Sequence, residues 1–410
     1  MTTTTSLVPS RTTGLPSVQS LVVGAGLLIA AGLVWAIGAS QGSAKATLFI
    51  VGLGLGVTLF HSRFGFTSAW RQLVSVGQGR ALQAHTVMLG LAVVLFAVIF
   101  EAGRGWFGTE PAGFYAPITL ALFVGAALFG IGMQLGGSCA SGTLFATGSG
   151  NLAVLITLAG FVTGSGIGVA GWDFWTSGSG FVKFADPVSL PDNFGRWGSV
   201  AVSLVVLAAI AAVAEAIIRR RRPPAIEAVP TTSGIARVLR GSWPLWAGAI
   251  VLAVLNAVVL LVTGRPWGVT SAFRLWASKI LDAVGVNVAS WSFWTDRPGL
   301  DQTVLADNTS VANFGIIVGA LVASATAGGF AFYKKVPRRT VAAGIVGGIL
   351  MGYGATFAAG CNIGAYFSGI ASGSLHGYLW AVAALGGTWI GLKLRPAFGL
   401  AVPKPTDSSC

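Results

Sequence analysis

Long apolar stretches, separated by short polar segments, recur along the whole chain. A transmembrane helix needs about 20 mostly apolar residues, and the pattern predicts about ten of them. The predicted spans are 18–39, 46–60, 86–100, 116–135, 152–170, 200–218, 243–262, 314–332, 341–359 and 375–394. Strands of an outer-membrane barrel would instead alternate apolar and polar positions. The pattern therefore predicts an all-α polytopic membrane protein.

The composition narrows the class further. Of the 410 residues, 54% are hydrophobic and 9% are charged, whereas soluble domains carry about 25% charged residues. Neither a soluble enzyme nor a disordered chain fits these proportions. Metal-binding spacings such as CxxC and phosphate-binding loops are absent from the sequence, so we expect neither an enzyme nor a bound cofactor or metal.

The net charge of +13 lies between the apolar stretches. Excess Lys and Arg mark cytoplasmic loops, so this charge indicates orientation in the bilayer rather than binding of nucleic acid. Basic clusters occur at 219–222, 334–335, 338–339 and in the tail at Lys393, Arg395 and Lys404, whereas 171–195 and 295–308 carry most loop acids. We expect a multi-pass protein of the bacterial inner membrane with both termini in the cytoplasm.

The charge pattern also predicts how the chain is divided. A polar N-terminal tail, 1–17, precedes a first transmembrane half, 18–218. A basic cytoplasmic linker, 219–242, separates it from a second half, 243–395. A polar C-terminal tail, 396–410, completes the chain.

The two halves contain an internal repeat. Aligning Cys139 with Cys361 pairs 121–145 with 343–367, and identical residues recur in a G-x-G-x6-C-x-x-G pattern. A second block pairs 65–71 with 268–274. In the expected topology the spans before the two cysteines run in opposite directions. The repeat is therefore inverted, with a pseudo-two-fold axis in the membrane plane, as in many transporters.

Each repeat breaks a long apolar span with a short Gly- or Ser-rich segment around a cysteine. Such backbone is tolerated in a membrane only inside protein or beside a cavity. A short half-helix after each break would present free N–H groups to an anion. We expect Thr67-Ser68 and Thr270-Ser271 to cap two more half-helices. The predicted substrate path comprises Thr67, Ser68, Gly137, Ser138, Cys139, Gly142, Thr270, Ser271, Gly360, Cys361, Asn362 and Gly364.

A thiol is polarisable and a weak S–H donor, which suits a sulfur-containing anion. An isolated buried cysteine is usually only a small apolar residue, but two at equivalent repeat positions favour function. Alternatives are another sulfur or selenium anion as substrate, or a redox relay between the two thiols. Arg71 and Arg274 either attract anions or extend to the membrane surface. His61, His85 and His376 are expected at the interface, and Cys410 has no expected role.

At these residues the chain resembles the YeeE/YedE family, also called the sulfur transport family. The resemblance rests on the segments around Cys139, on 354–370 with Ser374-Leu375-His376, and on 66–71, and covers about 46–395. It implies an hourglass-like body with short helices at a narrow waist. It further implies thiosulfate uptake through intramembrane cysteines, in some members with a soluble sulfur carrier of the TusA type. Where the family often has a third cysteine, this chain has Gly65.

Overall fold

A computed structural model describes residues 16–223, 234–295, 297–332 and 336–401. The helices are α1 (Ser20–Gln41), α2 (Ser43–Ser62), α3 (Phe66–Val76), α4 (Arg80–Ala102), α5 (Leu120–Leu135), α6 (Ala140–Gly148), α7 (Leu152–Ala170), α8 (Trp172–Thr176), α9 (Leu190–Arg221), α10 (Ile235–Arg240), α11 (Leu245–Thr263), α12 (Thr270–Ala283), α13 (Ser292–Thr295), α14 (Asn308–Thr326), α15 (Arg338–Phe357), α16 (Gly369–Ala371) and α17 (Leu375–Leu394). Two short strands, β1 (Ile118–Thr119) and β2 (Lys183–Ala185), pair antiparallel.

Four short 3-10 helices and one π-helix complete the described secondary structure. The 3-10 helices are Trp106–Gly108, Val288–Ser290, Val304–Ala306 and Arg395–Phe398. The π-helix is Asn362–Ser368. The described residues leave out 224–233 of the predicted linker, 1–15 and 402–410 of the two polar tails, with Cys410, and the basic pair at 334–335.

The predicted all-α membrane architecture is confirmed. Within the described ranges, nine helical segments are long and apolar enough to cross a membrane. The tenth predicted span forms helix α17 with the expected bounds, but its glycines, His376 and Lys393 make it less apolar than those nine. The span expected at 314–332 is shifted, because α14 begins at Asn308, where Asp307 caps it, and ends at Thr326.

Equivalent helices of the two halves cross near the centre of the molecule. Helix α5 packs on α15, with Gly125 against Gly354 and Gly132 against Gly347. The two helices are therefore antiparallel, and a two-fold axis relating them is perpendicular to both. For membrane-spanning helices that axis lies in the membrane plane, as an inverted repeat requires.

The remaining contacts follow the same pseudo-symmetry. Helix α5 packs on α17 and α15 packs on α7, while α2 packs on α14 and α11 packs on α4. Glycines permit these close approaches. A Cβ atom at Gly130 would lie 2.1 Å from the Ala384 carbonyl oxygen, and one at the equivalent Gly352 would lie 2.1 Å from that of Phe161. The repeat thus forms one intertwined core rather than two separate bundles.

Candidate functional site

Each repeated cysteine lies immediately before a short helix. Cys139 precedes α6 and Cys361 precedes the π-helix, and both have extended backbone, with ψ of −173° and −167°. The first N–H groups of a helix have no acceptor within it. The sequence predicts this placement correctly, and it positions both thiols beside the positive end of a short helix.

The turns that lead into the two cysteines are also equivalent. Gly137 has a φ of 81°, and Ala359, at the matching repeat position, has a φ of 58°. The left-handed region lets the chain reverse direction between a long helix and a short one. In the second half Gly360 follows with a φ of 125°, where the first half has the fully buried Ser138.

Three short elements meet at the centre of the molecule. Helix α6 contacts the π-helix. Helix α3 reaches the same π-helix through Phe66 and Trp70, whose rings lie 6.1 Å and 5.6 Å from that of Tyr366. We call Thr67, Ser138, Cys139, Cys361 and Asn362, which these elements and the turn before Cys139 contribute, the waist.

The two thiols at the waist are buried and free. The sulfur of Cys139 lies 3.6 Å from the Ser141 hydroxyl. The sulfur of Cys361 accepts the Ile363 N–H at 3.4 Å. Gly142 lies in the first turn of α6, where an added Cβ would approach the Cys139 sulfur to 3.4 Å. Gly364, the matching residue of the π-helix, has more room, with its nearest such neighbour at 3.9 Å.

Several polar atoms at the waist have no hydrogen-bond partner within the described parts of the chain. They are the hydroxyls of Thr67 and Ser138 and both side-chain amide atoms of Asn362. All three residues are fully buried. An unsatisfied buried polar group costs about 1–3 kcal/mol, so such groups mark positions where a polar ligand or water is accommodated.

The expectation that the Thr-Ser pairs cap their helices is wrong. Gly65 caps α3 and Val269 caps α12, in neither case through a side chain. Ser68 donates to the Gly65 carbonyl at 3.1 Å. Both helices begin earlier than capping preference suggests, because Phe66 and the segment before Thr270 are anchored in the core. The four residues lie in first turns, and Ser271 donates to the Thr309 hydroxyl at 2.8 Å.

Two cavities lie at opposite ends of α2. The wide cavity has a volume of about 880 Å³ and reaches Lys45 and, on α12, Ser271 and Arg274. The narrow cavity has a volume of about 140 Å³ and reaches Ser62 and, on α3, Ser68. Because α3 and α12 are equivalent, the cavities are pseudo-symmetric counterparts. Neither thiol is among the residues that line them, so the waist separates the two.

Two guanidinium groups, those of the half-buried Arg274 and the buried Arg395, lie on either side of the waist. Arg274 donates to the Thr356 carbonyl at 3.5 Å, and Arg395 donates to the carbonyl of Gln134, the repeat equivalent of Thr356, at 2.6 Å. Sequence reasoning placed Arg395 among the tail charges and missed this role. The sequence feature that could have indicated this role is the position of Arg395 directly after a glycine-containing span. Arg71, like Arg395, is almost fully buried, so it does not extend to the membrane surface.

The three histidines lie near helix ends but inside the protein. His61, His85 and His376 are all buried, so none of their rings is exposed at the protein surface, and their position at the membrane interface stays a prediction. His61 lies 3.1 Å from the Gly241 carbonyl, and His376 contacts the Ser374 hydroxyl at 2.6 Å. The Phe114 ring packs against His376, with the two ring centres 5.2 Å apart, and the Phe66 ring of α3 packs against His85 at 4.6 Å.

A family model described as Sulphur transport matches residues 61–390. The chain belongs to this family. The matched region contains both cysteine segments and both Thr-Ser pairs. It also contains the helices of the intertwined core, apart from most of α2 and the last turn of α17. Membership in the Sulphur transport family agrees with the helical architecture and with the resemblance seen in the sequence.

Three proteins similar in sequence to this chain are named as transporters. The thiosulfate transporter TsuA of Spirochaeta thermophila is 26% identical over 357 residues, which are 84% of this chain and 96% of the relative. The thiosulfate transporter TsuA of Escherichia coli is 24% identical over 83% of this chain and 91% of the relative. The probable transporter YedE of Salmonella typhimurium is 32% identical over 162 residues. That match spans only 40% of the relative's length.

Proposed function

We propose that this protein imports thiosulfate, a small sulfur-containing dianion, across the bacterial inner membrane. The observation that carries the proposal is the set of buried, unpartnered polar atoms of Thr67, Ser138 and Asn362 around two free thiols. Similarity to two thiosulfate transporters, over 84% and 83% of this chain, supports the choice of substrate.

The route runs from the wide cavity to the narrow one. The anion passes Arg274 and meets Cys361, whose S–H donates weakly to the terminal sulfur of thiosulfate. It then passes to Cys139 at the start of α6. Helix N–H groups offset the cost of moving the dianion into a low-dielectric waist. The bonds are non-covalent, so the ion leaves unchanged.

The charges at the two ends support the proposed orientation, with entry of the anion at the wide cavity. The loops around the wide cavity include the acid-rich 171–195 and 295–308 segments, whereas α9 ends in Arg219, Arg220 and Arg221 at the other end. By the positive-inside rule, these charges support a wide cavity that faces outside and termini that both lie in the cytoplasm. A soluble TusA-like sulfur carrier would then meet the imported ion at the narrow end.

The test is uptake of labelled thiosulfate by cells that lack another route for it. We expect Cys361→Ala and Cys139→Ala each to reduce uptake at least about tenfold, because each loses a weak donor at the narrowest point. Cys410→Ala is the matched control, since it removes a thiol from the polar tail and should retain full uptake. Membrane abundance of every variant is measured in parallel.

Full uptake by both waist variants would contradict the thiol path while leaving transport intact. Absence of uptake by the abundant wild-type protein would contradict thiosulfate as substrate. Sulfite and selenium oxyanions are the next substrates to test in that case. If cells instead gained thiol-oxidising activity that needed both cysteines, the redox relay would replace the transport proposal.

A further inference from the structure

Trp267 is a fully buried tryptophan that lines the wide cavity. It lies in the segment between α11 and α12, just before the repeated Thr270-Ser271 pair. Its indole N–H has no hydrogen-bond acceptor within the described parts of the chain. A buried tryptophan usually finds a partner for this group, and a buried donor left without one is costly. The Trp267 side chain is therefore a neutral donor at the cavity that the protein itself does not use.

Two buried polar side chains hold the backbone of Trp267 in place. The Asn256 side chain accepts the Trp267 backbone N–H at 2.9 Å, and the Ser368 hydroxyl donates to the Trp267 carbonyl at 2.7 Å. Asn256 also donates to Ser368 at 3.4 Å. The segment around Trp267 is not helical, so side chains satisfy peptide groups that a helix would otherwise pair. Trp267 is thus fixed between α11, which contributes Asn256, and the π-helix, which contributes Ser368.

Two other tryptophans show what is particular to Trp267. Trp175 lines the same cavity, but its indole N–H donates to the Tyr353 hydroxyl at 2.8 Å. The indole N–H of Trp380 also has no acceptor among the described residues, but Trp380 lines neither the wide nor the narrow cavity. Of these three residues, only Trp267 combines a place at a cavity with an indole donor that has no acceptor in the described structure.

The repeat places a different aromatic residue at this position in each half. Extending the match of 65–71 with 268–274 by one residue pairs Phe64 with Trp267. Phe64 is also fully buried and lines the narrow cavity. A phenylalanine ring has no N–H group, so at this repeat position the donor is present at the wide end and absent from the narrow end. The frame accepts either ring, and the two residues differ in hydrogen-bonding capacity.

We propose that the indole N–H of Trp267 donates to an oxygen atom of the transported anion in the wide cavity. This inference rests on the proposed function and deepens it, because it adds a binding residue before the waist. The wide cavity reaches Ala359, two residues before Cys361, so it extends to the turn that leads into the first thiol. A hydrogen bond to an anion is stronger than one between neutral groups. A neutral donor nevertheless holds the ion weakly enough for it to move on.

The first experiment follows the indole N–H signals of the ¹⁵N-labelled full-length protein in detergent by NMR during a titration with thiosulfate. Loss of a signal in Trp267→Phe or in Trp267→Tyr assigns Trp267, and Trp175→Phe assigns the control. We expect the Trp267 proton signal to move downfield and to saturate, because its N–H gains an acceptor. The Trp175 signal should move much less, since its N–H is already bonded to Tyr353. A Trp267 signal that does not respond to saturating thiosulfate would overturn the proposal, whether or not other signals move.

Binding and uptake provide the second measurement. Trp267→Phe keeps an aromatic ring and removes the donor, so it should weaken thiosulfate binding, measured by titration calorimetry, about tenfold. The KM for uptake should rise by a similar factor with little change in maximal rate, because binding at the cavity precedes passage through the waist. Trp175→Phe is the matched control from the same cavity and should change affinity less than about twofold, since its N–H is bonded within the protein.

The two proposals can fail separately. Unchanged affinity in a Trp267→Phe protein that is folded, judged by its melting temperature, would overturn the role of Trp267. Uptake by a wild-type protein whose Trp267 signal is unresponsive would do the same and leave the transport proposal intact. A saturable Trp267 response in a wild-type protein without uptake would contradict transport and support the binding residue.

Discussion

The wide and narrow ends of the molecule are made from equivalent elements but are connected differently. Both cavities reach the first turn of a repeated helix, α12 at one end and α3 at the other. At the wide end a long connection, residues 284–307, supplies Phe293 and Arg297. At the narrow end a tight turn at Gly77 packs against Arg221, where an added Cβ would lie 2.4 Å from the arginine Cδ. An inverted repeat thus provides a symmetric frame, and its connecting loops make the two ends of the molecule different.

The two cysteine segments differ in a subtler way. Both thiols have extended backbone before a short helix, but α6 is an α-helix and Asn362–Ser368 is a π-helix. π-helical turns are rare in proteins overall, but those that occur are often found at functional sites. The two cysteines therefore occupy equivalent positions in the repeat, while the type of the following helix differs with its neighbours.

Substitutions in the packed helices of the symmetric frame should have the largest effect on stability. Gly130→Ala and Gly352→Ala should each lower the free energy of unfolding by about 3 kcal/mol, because each Cβ would overlap a carbonyl oxygen of the packed helix. Equal distances of 2.1 Å at the two positions predict equal losses. Thermal unfolding of the purified proteins measures them.

Neighbouring glycines of α17 supply the control. Gly387→Ala should be as damaging as the first pair, since its Cβ would lie 2.0 Å from the Ala127 carbonyl oxygen, whereas Gly386 has nothing within 4 Å. Gly386→Ala should therefore leave the melting temperature unchanged or raise it slightly. Clearly unequal losses at Gly130 and Gly352 would contradict a symmetric frame.

The symmetric arrangement of long helices can be predicted from the sequence, because the patterns that indicate it are long and repeated. Apolar stretches located every long span, and the match of Cys139 with Cys361 identified the repeat. The inversion followed from the distribution of Lys and Arg, and the antiparallel contact of α5 with α15 agrees with it. Each of these features is read from local composition or self-similarity, without knowledge of distant contacts.

Features that depend on contacts between distant segments were not predicted. Arg395 lies far from Gln134 in sequence, yet it donates to that carbonyl. Arg297 lies over the rings of Trp172 and Phe293, which belong to different halves of the chain. The Thr-Ser pairs were assigned as caps from local preference, which is worth about 1 kcal/mol and was outweighed by burial of Phe66. Residue type alone also does not distinguish Asn362, whose side chain has no hydrogen-bond partner among the described residues, from Asn256, which donates to Ser368.

Removing a buried hydroxyl should change the free energy of unfolding in opposite directions at the waist and elsewhere. Ser138→Ala removes a hydroxyl with no partner in the described structure, so it should raise the free energy of unfolding by about 1 kcal/mol. The same change should lower thiosulfate uptake several-fold. Ser372→Ala removes a hydroxyl that donates to the Ser368 carbonyl at 2.7 Å and should destabilise by about 1 kcal/mol. If both variants lost stability, the Ser138 hydroxyl would have a structural partner and its assignment to the path would fail.

The smallest expected effect concerns the turns before the cysteines. Gly137→Ala introduces a Cβ at a φ of 81° with no neighbour within 4 Å, so only backbone strain of about 1 kcal/mol opposes it. Ala359→Gly relieves similar strain at a φ of 58°, but it also increases the entropy of the unfolded chain by a comparable amount. We therefore expect Gly137→Ala to lower the melting temperature and Ala359→Gly to leave it nearly constant. A large loss in Ala359→Gly would mean that the Ala359 methyl group packs at the waist and that the two turns, although equal in backbone, are not equal in function.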